Sequence, residues 1–465
     1  MRKKVVGIVL AAVLVLSLGL VLGGPVGADT TGNLLTNPGA ELGSTTGWSL
    51  LGTPSALTVA RQDASQTSDP CGTVTIEEYE GDWFFTMQGY PPAASTTYQQ
   101  MTQIVDLTGI SGVPLTFNAS VRLQTADEEN GGGPISDQGI MVVQFWDTTS
   151  LLTSFNTGFQ THPTCGGSDY KLLEMSGAVP PCAVMVKFIL KGRPDEADTV
   201  INVFWDDAFF SVTHCTLDDL SPSEAFNPIG TEHKVYATLT EPVDGITVKF
   251  EVSGANTDSG SDETEAGVAE FSYTGANPGE DTIKAYLDIN CNDQWDSGEP
   301  TLEVTKYWMD RFVSGGGQLI EEIGNKRKDW LVISFGGVAG DAGAAGLVGE
   351  WEVNFHNVNT ATFDKTKFHT TSIQNMNFYE QSCGIAMNFT AIGEWQGIPG
   401  YKMTFRAQDA GEPGSQDNVR IEIRNPSGGK VYDTHWGGEF TDESNCVGTS
   451  RTGLDHGNLQ MDDLS

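Results

Sequence analysis

Basic residues are scarce in this chain. Its 465 residues include 25 Lys and Arg against 61 Asp and Glu, a formal net charge of −36. Charged residues of both signs make up only 18%, so the imbalance comes from missing cations rather than from unusually dense acids. Such a surface releases few counterions from phosphates and gains little at anionic lipid, which excludes nucleic acid and acidic membrane faces as partners. The one basic run beyond the N-terminus, Lys326-Arg327-Lys328, reads as a solvated turn. Sustained helical periodicity is missing too, as is any second long apolar span. No GxSxG, HExxH, P-loop or dinucleotide fingerprint occurs, and paired carboxylates are expected by chance in a chain this acidic. Catalysis is therefore not expected. None of the seven cysteines sits in a CxxC pair or at zinc spacing from a histidine, which argues against a metal-thiolate site.

The N-terminus is compartment-specific. Arg2-Lys3-Lys4 precedes an apolar run from Val5 to Leu22, followed by Gly23-Gly24-Pro25 and Val26-Gly27-Ala28. This is the pattern of a secretory signal over residues 1–28, with cleavage expected before Asp29. An extracellular or cell-surface location follows, and cysteines in such a chain oxidise where geometry allows. Beyond the signal, apolar residues alternate with polar ones, as in Ile246, Val248, Phe250 and Val252, or Leu115 and Phe117. Each run stops at Gly, Pro, Asn or Asp, which predicts short strands joined by tight turns. The expected class is all-β, with sandwiches in tandem. Composition places one seam at Thr213–Pro222 and another at Val313-Ser314-Gly315-Gly316-Gly317, expected to be a flexible join, giving segments 29–214, 215–312 and 313–465.

The first segment opens Asn33-Leu-Leu-Thr-Asn37-Pro38-Gly39-Ala40-Glu41 and closes Trp205-Asp206-Asp207-Ala208. This opening and ending resemble the galactose-binding-like jelly rolls of bacterial carbohydrate-binding modules, with Ala40 where an aromatic is usual and Ala208 where Val is usual. The resemblance implies a jelly-roll sandwich. It also implies a structural Ca²⁺ between the two chain ends, assigned to Glu41 with Asp207, hard oxygen donors that suit that ion. A sugar site needs exposed aromatic faces flanked by amides and carboxylates. The candidates are Trp83, Phe84, Tyr90, Tyr98 and Trp146, with Trp48 assigned to the core. Strand alternation allows only about half of a run such as Trp83-Phe84-Phe85 to face solvent.

Within the second segment, residues 227–308 begin Asn227-Pro228-Ile229-Gly230 and continue through Gly245-Ile246-Thr247-Val248 to Asp281-Thr282-Ile283-Lys284-Ala285-Tyr286-Leu287-Asp288. It resembles the bacterial Ig-like domains of intimin- and invasin-type surface proteins, which implies an Ig-like sandwich acting as a spacer. Its sharpest feature is Asp288-Ile-Asn290-Cys-Asn292-Asp-Gln294-Trp-Asp296-Ser-Gly-Glu299. Side-chain oxygens fall at loop positions 1, 3, 5, 9 and 12, with the Gln294 carbonyl at position 7, the EF-hand ligand spacing for Ca²⁺. Position 6 holds Asp293 where glycine is usual, and no helices flank the loop. A strand–loop–strand hairpin tied by Ca²⁺ is expected, with Cys291 close enough to the entering chain to pair with Cys215.

The third segment contains Phe335-Gly-Gly, Phe355-His356-Asn, Lys367-Phe-His369-Thr-Thr-Ser, Ile421-Glu-Ile-Arg424, Val431-Tyr-Asp433 and Gly453-Leu-Asp-His-Gly-Asn-Leu-Gln. It resembles the post-COAP-1-type C-terminal modules of exported bacterial proteins, which implies a third antiparallel β-domain. Cys383 and Cys446 are the cysteines within it and are expected to pair. His356 and His369 read as ordinary strand histidines. Two functions follow. In the first, a secreted non-catalytic protein binds polysaccharide or surface glycan through its first segment on a calcium-stiffened stalk. In the second, a structural or adhesive surface protein contacts other proteins and no glycan.

Overall fold

The computed structural model describes residues 29–51, 58–68, 72–89, 98–125, 127–129, 134–164, 166–194, 201–321, 330–357, 365–381, 384–409, 417–434 and 454–463. The signal-like N-terminus, Tyr90, Cys71, Cys165, Cys383 and Cys446 lie outside them, so the Cys383–Cys446 expectation does too. Among the described residues the chain is almost entirely strand, with one 3₁₀ turn at Gly343–Ala345 and no α-helix. Among the described residues no helix is long and apolar enough to cross a membrane.

The first unit is a sandwich of two antiparallel sheets. One has the order Lys171–Ala178, Val113–Thr125, Ile201–Cys215, Phe84–Gly89, Thr58–Arg61, and the other Leu151–Asn156, Gln138–Trp146, Met185–Arg193, Gln99–Asp106, Ser49–Leu51. Alternation aims Met141, Val143 and Phe145 from one sheet at Phe117, Val121 and Phe210 from the other. The Phe117 and Phe145 rings meet at 5.1 Å between the sheets. Trp48 is buried in this core and packs edge-on to Phe85, as its assignment required.

The strand Ile201–Cys215 carries the chain out of the first sandwich, and Leu217–Ser221 begins the second without a linker. The second sandwich pairs a three-stranded sheet (Leu217–Ser221, Glu232–Leu239, Val268–Thr274) with a five-stranded one. The order of the latter is Glu224–Pro228, Thr301–Met309, Gly279–Tyr286, Thr247–Gly254, Asp258–Glu263. Its first strand runs parallel to its last-formed neighbour, Thr301–Met309. Cys215 is buried in this unit's core, with Val113 and Leu115 of the first sandwich packed against the same cluster. One apolar layer thus crosses the seam.

The third unit is a single nine-stranded antiparallel sheet that rolls on itself. The Trp351 ring comes within 4.5 Å of Phe405, and Phe355 within 4.7 Å of Tyr432, between strands that are not neighbours. The glycine run expected to be a flexible join is instead the middle of the strand Arg311–Glu321, paired on both sides. A Cβ on Gly315 would lie 2.3 Å from the Asn458 carbonyl oxygen, and one on Gly316 2.5 Å from that of Phe335. Glycine is there because the neighbouring backbones approach too closely for a side chain. The break between units falls earlier, at Asp310, between Thr301–Met309 and Arg311–Glu321.

Candidate functional site

The outer face of the five-stranded sheet in the first sandwich gathers the cations that the chain otherwise lacks. Along Met185–Arg193, Lys187, Lys191 and Arg193 point outward, because a strand sends alternate side chains to one face. Each lies on an aromatic ring: Lys187 Nζ is 3.7 Å from the Trp146 ring centre, Lys191 Nζ 4.3 Å from Tyr98, and the Arg193 guanidinium 3.7 Å from Phe159. Gln144 stands directly across from Lys187, and Gln100 directly across from Lys191. Gln100 Nε2 donates to Thr102 Oγ1 on that face at 2.9 Å. Ile104, opposite Lys187, is exposed between them. The row from Lys187 to Arg193 is about 20 Å long at a strand's rise per residue. Cation–π contacts fix the cationic groups over the rings, and between Lys187 and Lys191 the same face carries the buried Ile189, packed with Ile140, Val142 and Phe159.

Two of the expected aromatics, Tyr98 and Trp146, belong to this face. Phe84 does not: it is fully buried with Ile76, Tyr170 and Phe204. The alternation argument assumed one solvated face for that strand. Its second face is instead covered by Ile76 of the strand Gly72–Glu77 and by Tyr170, whose Oη donates to the Glu77 carbonyl at 3.0 Å. Trp83 packs against the core of the first sandwich, and a Cβ on Gly43 would sit 3.0 Å from its ring.

The chain ends of the first sandwich meet as the opening and closing motifs predict, but with a different carboxylate. Glu41 accepts from the backbone N–H groups of Asp82 at 2.9 Å and Trp83 at 3.2 Å. Asp206, fully buried, accepts from Tyr79 and Glu80 at 2.8 and 3.2 Å. A Cβ on Gly39 would meet Asp206 Oδ1 at 3.1 Å and Glu41 Oε1 at 3.6 Å, so these two carboxylates converge there. Burial pushes the Asp206 carboxyl up to about 7; its backbone hydrogen bonds oppose this, and Glu41 adds to it. The expected partner, Asp207, occupies a bulge in which the register shifts between Asp206 and Phe209. It adopts φ 46° and faces Arg122, 4.0 Å away. The extra residue turns Asp207 away from Glu41 and leaves Asp206 beside it.

The loop from Asp288 to Glu299 folds inward around its oxygens. Asp288 accepts from the N–H groups of Asn292 (3.1 Å) and Asp293 (2.8 Å). Glu299 accepts from Ile289 (2.9 Å) and Asp296 (3.0 Å). Asp296 Oδ2 takes the side-chain amides of Asn290 and Asn292 at 2.7 and 2.6 Å. The Asn292 side chain accepts from Gln294 N–H at 2.8 Å, which turns the chain at position 7. Asp293 adopts φ 62°, the left-handed backbone that makes glycine usual at position 6, and its carboxylate pairs with Lys249 at 2.7 Å. The donor set is all hard oxygen and comes from one loop, the chemistry Ca²⁺ selects. Among the described residues no three Asp, Glu, His or Cys side chains form a metal-holding group.

Cys291 within this loop is bonded to Cys182 of the first sandwich, with Cα atoms 5.4 Å apart. The expected partner, Cys215, is a free buried thiol, its pKa pushed up to about 11 chiefly by burial. The loop does reach the end of the sandwich where the chain enters. There it meets the turn at Cys182 rather than the strand end, whose cysteine points into the core. His356 accepts or donates a bond with Ser334 Oγ at 3.3 Å, and His369 lies 3.8 Å from Glu352.

No family model and no curated protein matches this chain. Among solved structures it is similar to the adhesin domain of Epf from Streptococcus pyogenes, at 8% identity and a TM-score of 0.24, covering 60% of this chain and 98% of that one. It is also similar to a beta-1,2-glucanase from Parabacteroides distasonis, at 12% identity and a TM-score of 0.17, covering 54% of this chain and 37% of the other. At these scores neither likeness carries fold or function across.

Proposed function

We propose that the chain is an exported, non-catalytic protein that binds extracellular carbohydrate on the outer face of its first sandwich, with a preference for acidic polysaccharide. The supporting observation is the row Trp146–Lys187, Tyr98–Lys191 and Phe159–Arg193, a basic and aromatic surface in a chain of net charge −36. Rings supply flat apolar area for sugar C–H groups, amides bond hydroxyls, and the cations bond carboxylates or sulfates. The full chain on an array of neutral and acidic polysaccharides should retain polyuronate or sulfated glycan, and the binding should weaken as salt rises. Trp146→Ala combined with Lys187→Ala should weaken it at least about tenfold, on the order of 1.4 kcal/mol. Binding to no glycan, or equal binding by this variant, would transfer the face to a protein partner in an adhesive role.

We further propose that the Asp288–Glu299 loop holds Ca²⁺ through Asp288, Asn290, Asn292, Asp296, Glu299 and the Gln294 carbonyl, stiffening the join to the first sandwich. A bound ion stabilises the state that binds it by about 2.7 kcal/mol at a hundredfold excess over Kd. Calcium should therefore raise the melting temperature of the parent but not of Asp288→Ala combined with Glu299→Ala. A parent that melts identically with calcium and with chelator has no such site.

A further inference from the structure

The second sandwich buries a lysine against an asparagine. Lys306 is fully buried, and its Nζ donates to Asn227 Oδ1 at 2.9 Å and to the Tyr307 carbonyl at 3.0 Å. The two residues lie on adjacent parallel strands, with Ala225 opposite Lys306 and Asn227 opposite Trp308. On the other side Asp281 stands directly across from Lys306. Lys306, Trp308, Asp281 and Asn227 therefore share one inward face. None of the contacts of Lys306 among the described residues is a carboxylate. Asp281, also fully buried, spends its oxygens on Trp308 Nε1 at 2.8 Å, Tyr273 Oη at 3.1 Å and Asn256 at 2.7 and 3.0 Å. The Lys306 ammonium position is 4.4 Å above the Trp308 ring.

A buried ammonium without a counter-charge favours its neutral form. Burial lowers the Lys306 pKa to about 7, although Asp281 opposes this, and burial followed by the Lys306 charge lowers His233 to about 4. At neutral pH a large share of Lys306 is then free amine, a nucleophile activated by desolvation. Its neighbour is an amide carbonyl held by folding rather than by diffusion. The Asn227 amide nitrogen has only long bonds, to Thr231 Oγ1 at 3.4 Å and the Glu232 carbonyl at 3.5 Å.

We propose that Lys306 and Asn227 become joined by an intramolecular isopeptide bond that the folded second sandwich forms by itself. The neutral Nζ attacks Cγ of Asn227, an N–C bond forms and the Cγ–Nδ2 bond breaks. The proton lost by Nζ ends on Nδ2, which leaves as ammonia. Nothing is oxidised or reduced, and no co-reactant is consumed. Asp281, directly across from Lys306, has its oxygens occupied by Trp308, Tyr273 and Asn256, so it acts on the reacting pair through its charge, which favours the cationic nitrogen formed as Nζ adds. The bond ties the first strand of the five-stranded sheet to Thr301–Met309 and closes a loop of 79 residues in sequence, a mechanical clamp suited to a protein that bears load. This inference is independent of the glycan reading.

The test is the intact mass of the full chain after reduction and alkylation, followed by peptide mapping. The folded protein should weigh one ammonia less than calculated, and its digest should contain a branched peptide joining Asn227 to Lys306. A cyclic imide at Asn227 is no alternative source, since Pro228 has no N–H to close it. Asn227→Ala and Lys306→Arg should each restore the calculated mass, whereas Asn227→Asp should lose water instead of ammonia. Asn227 and Lys306 found in separate unmodified peptides, from protein whose circular dichroism shows the β-fold, would overturn the proposal. If Asp281→Asn links as fully and as fast as the parent, the electrostatic role of Asp281 is overturned and the bond stands without it.

Discussion

Replacing Asp281 by alanine should destabilise the second sandwich by about 3–5 kcal/mol, whether or not Lys306 is bonded to Asn227. The carboxylate is fully buried and receives four hydrogen bonds, from Asn256 N and Nδ2, Tyr273 Oη and Trp308 Nε1. Alanine leaves the Asn256 N–H and the Tyr273 hydroxyl proton without their acceptor, while Trp308 Nε1 keeps a 3.3 Å bond to Tyr273 Oη and Asn256 Nδ2 one of 3.1 Å to the Asn277 carbonyl. Each orphaned buried donor costs about 1–3 kcal/mol. It also leaves a void beside Trp308, whose ring is packed at 5.5 Å from Tyr273. Denaturant unfolding followed by Trp fluorescence would measure the loss, with the third unit as an internal reference. A loss below about 1 kcal/mol would mean that water enters and replaces the carboxylate. Asp281→Asn should recover only part of the stability, because its amide nitrogen brings a donor to a site that supplies donors already.

Alternation was enough to read the strands and much of the core. Trp48, Val248, Phe250 and Val252 are buried where the period-two pattern and the aromatic placement put them. The pattern failed wherever a strand is covered on both faces or gains a residue. Phe84 and Phe85 are consecutive and both fully buried, since Ile76 and Tyr170 from elsewhere in the chain cover the second face. The bulge at Asp207 exchanges the roles of two adjacent, chemically identical residues, which no composition argument separates. Gly315-Gly316-Gly317 reads as a hinge by composition, yet it sits where three backbones crowd together. The cationic row was legible in principle. Lys187, Lys191 and Arg193 share one parity in a single apolar strand, and in a chain so poor in cations three on one face is a signal. Lys306 was not, because its meaning depends on Asn227, which only the parallel pairing of distant strands brings alongside.

Breaking the Cys182–Cys291 bond should lower stability by about 2–4 kcal/mol, the range for a cross-link that restricts a long loop in the unfolded chain. The two cysteines are 109 residues apart, and the loop they close spans the seam between the first two sandwiches. Cys182→Ser and Cys291→Ser should therefore have equal effects, and the double variant should be no worse than either. Reducing agent should shift the parent's denaturant midpoint to the same position. The seam keeps a second attachment, because Val113 and Leu115 still pack on the cluster that contains Cys215 and Leu217. The sandwiches should thus stay docked in the native state but unfold in two steps rather than one, once the covalent tie between them is gone. Cys291 also lies at position 4 of the Asp288–Glu299 loop, so freeing it lets the loop open before the strands do. Faster amide exchange at Asn292 and Asp293 than at Ile283 and Ala285 would be the sign of that order. Equal exchange at all four positions with and without the bond would show that the loop is held by its own hydrogen bonds and that the disulfide serves the seam alone.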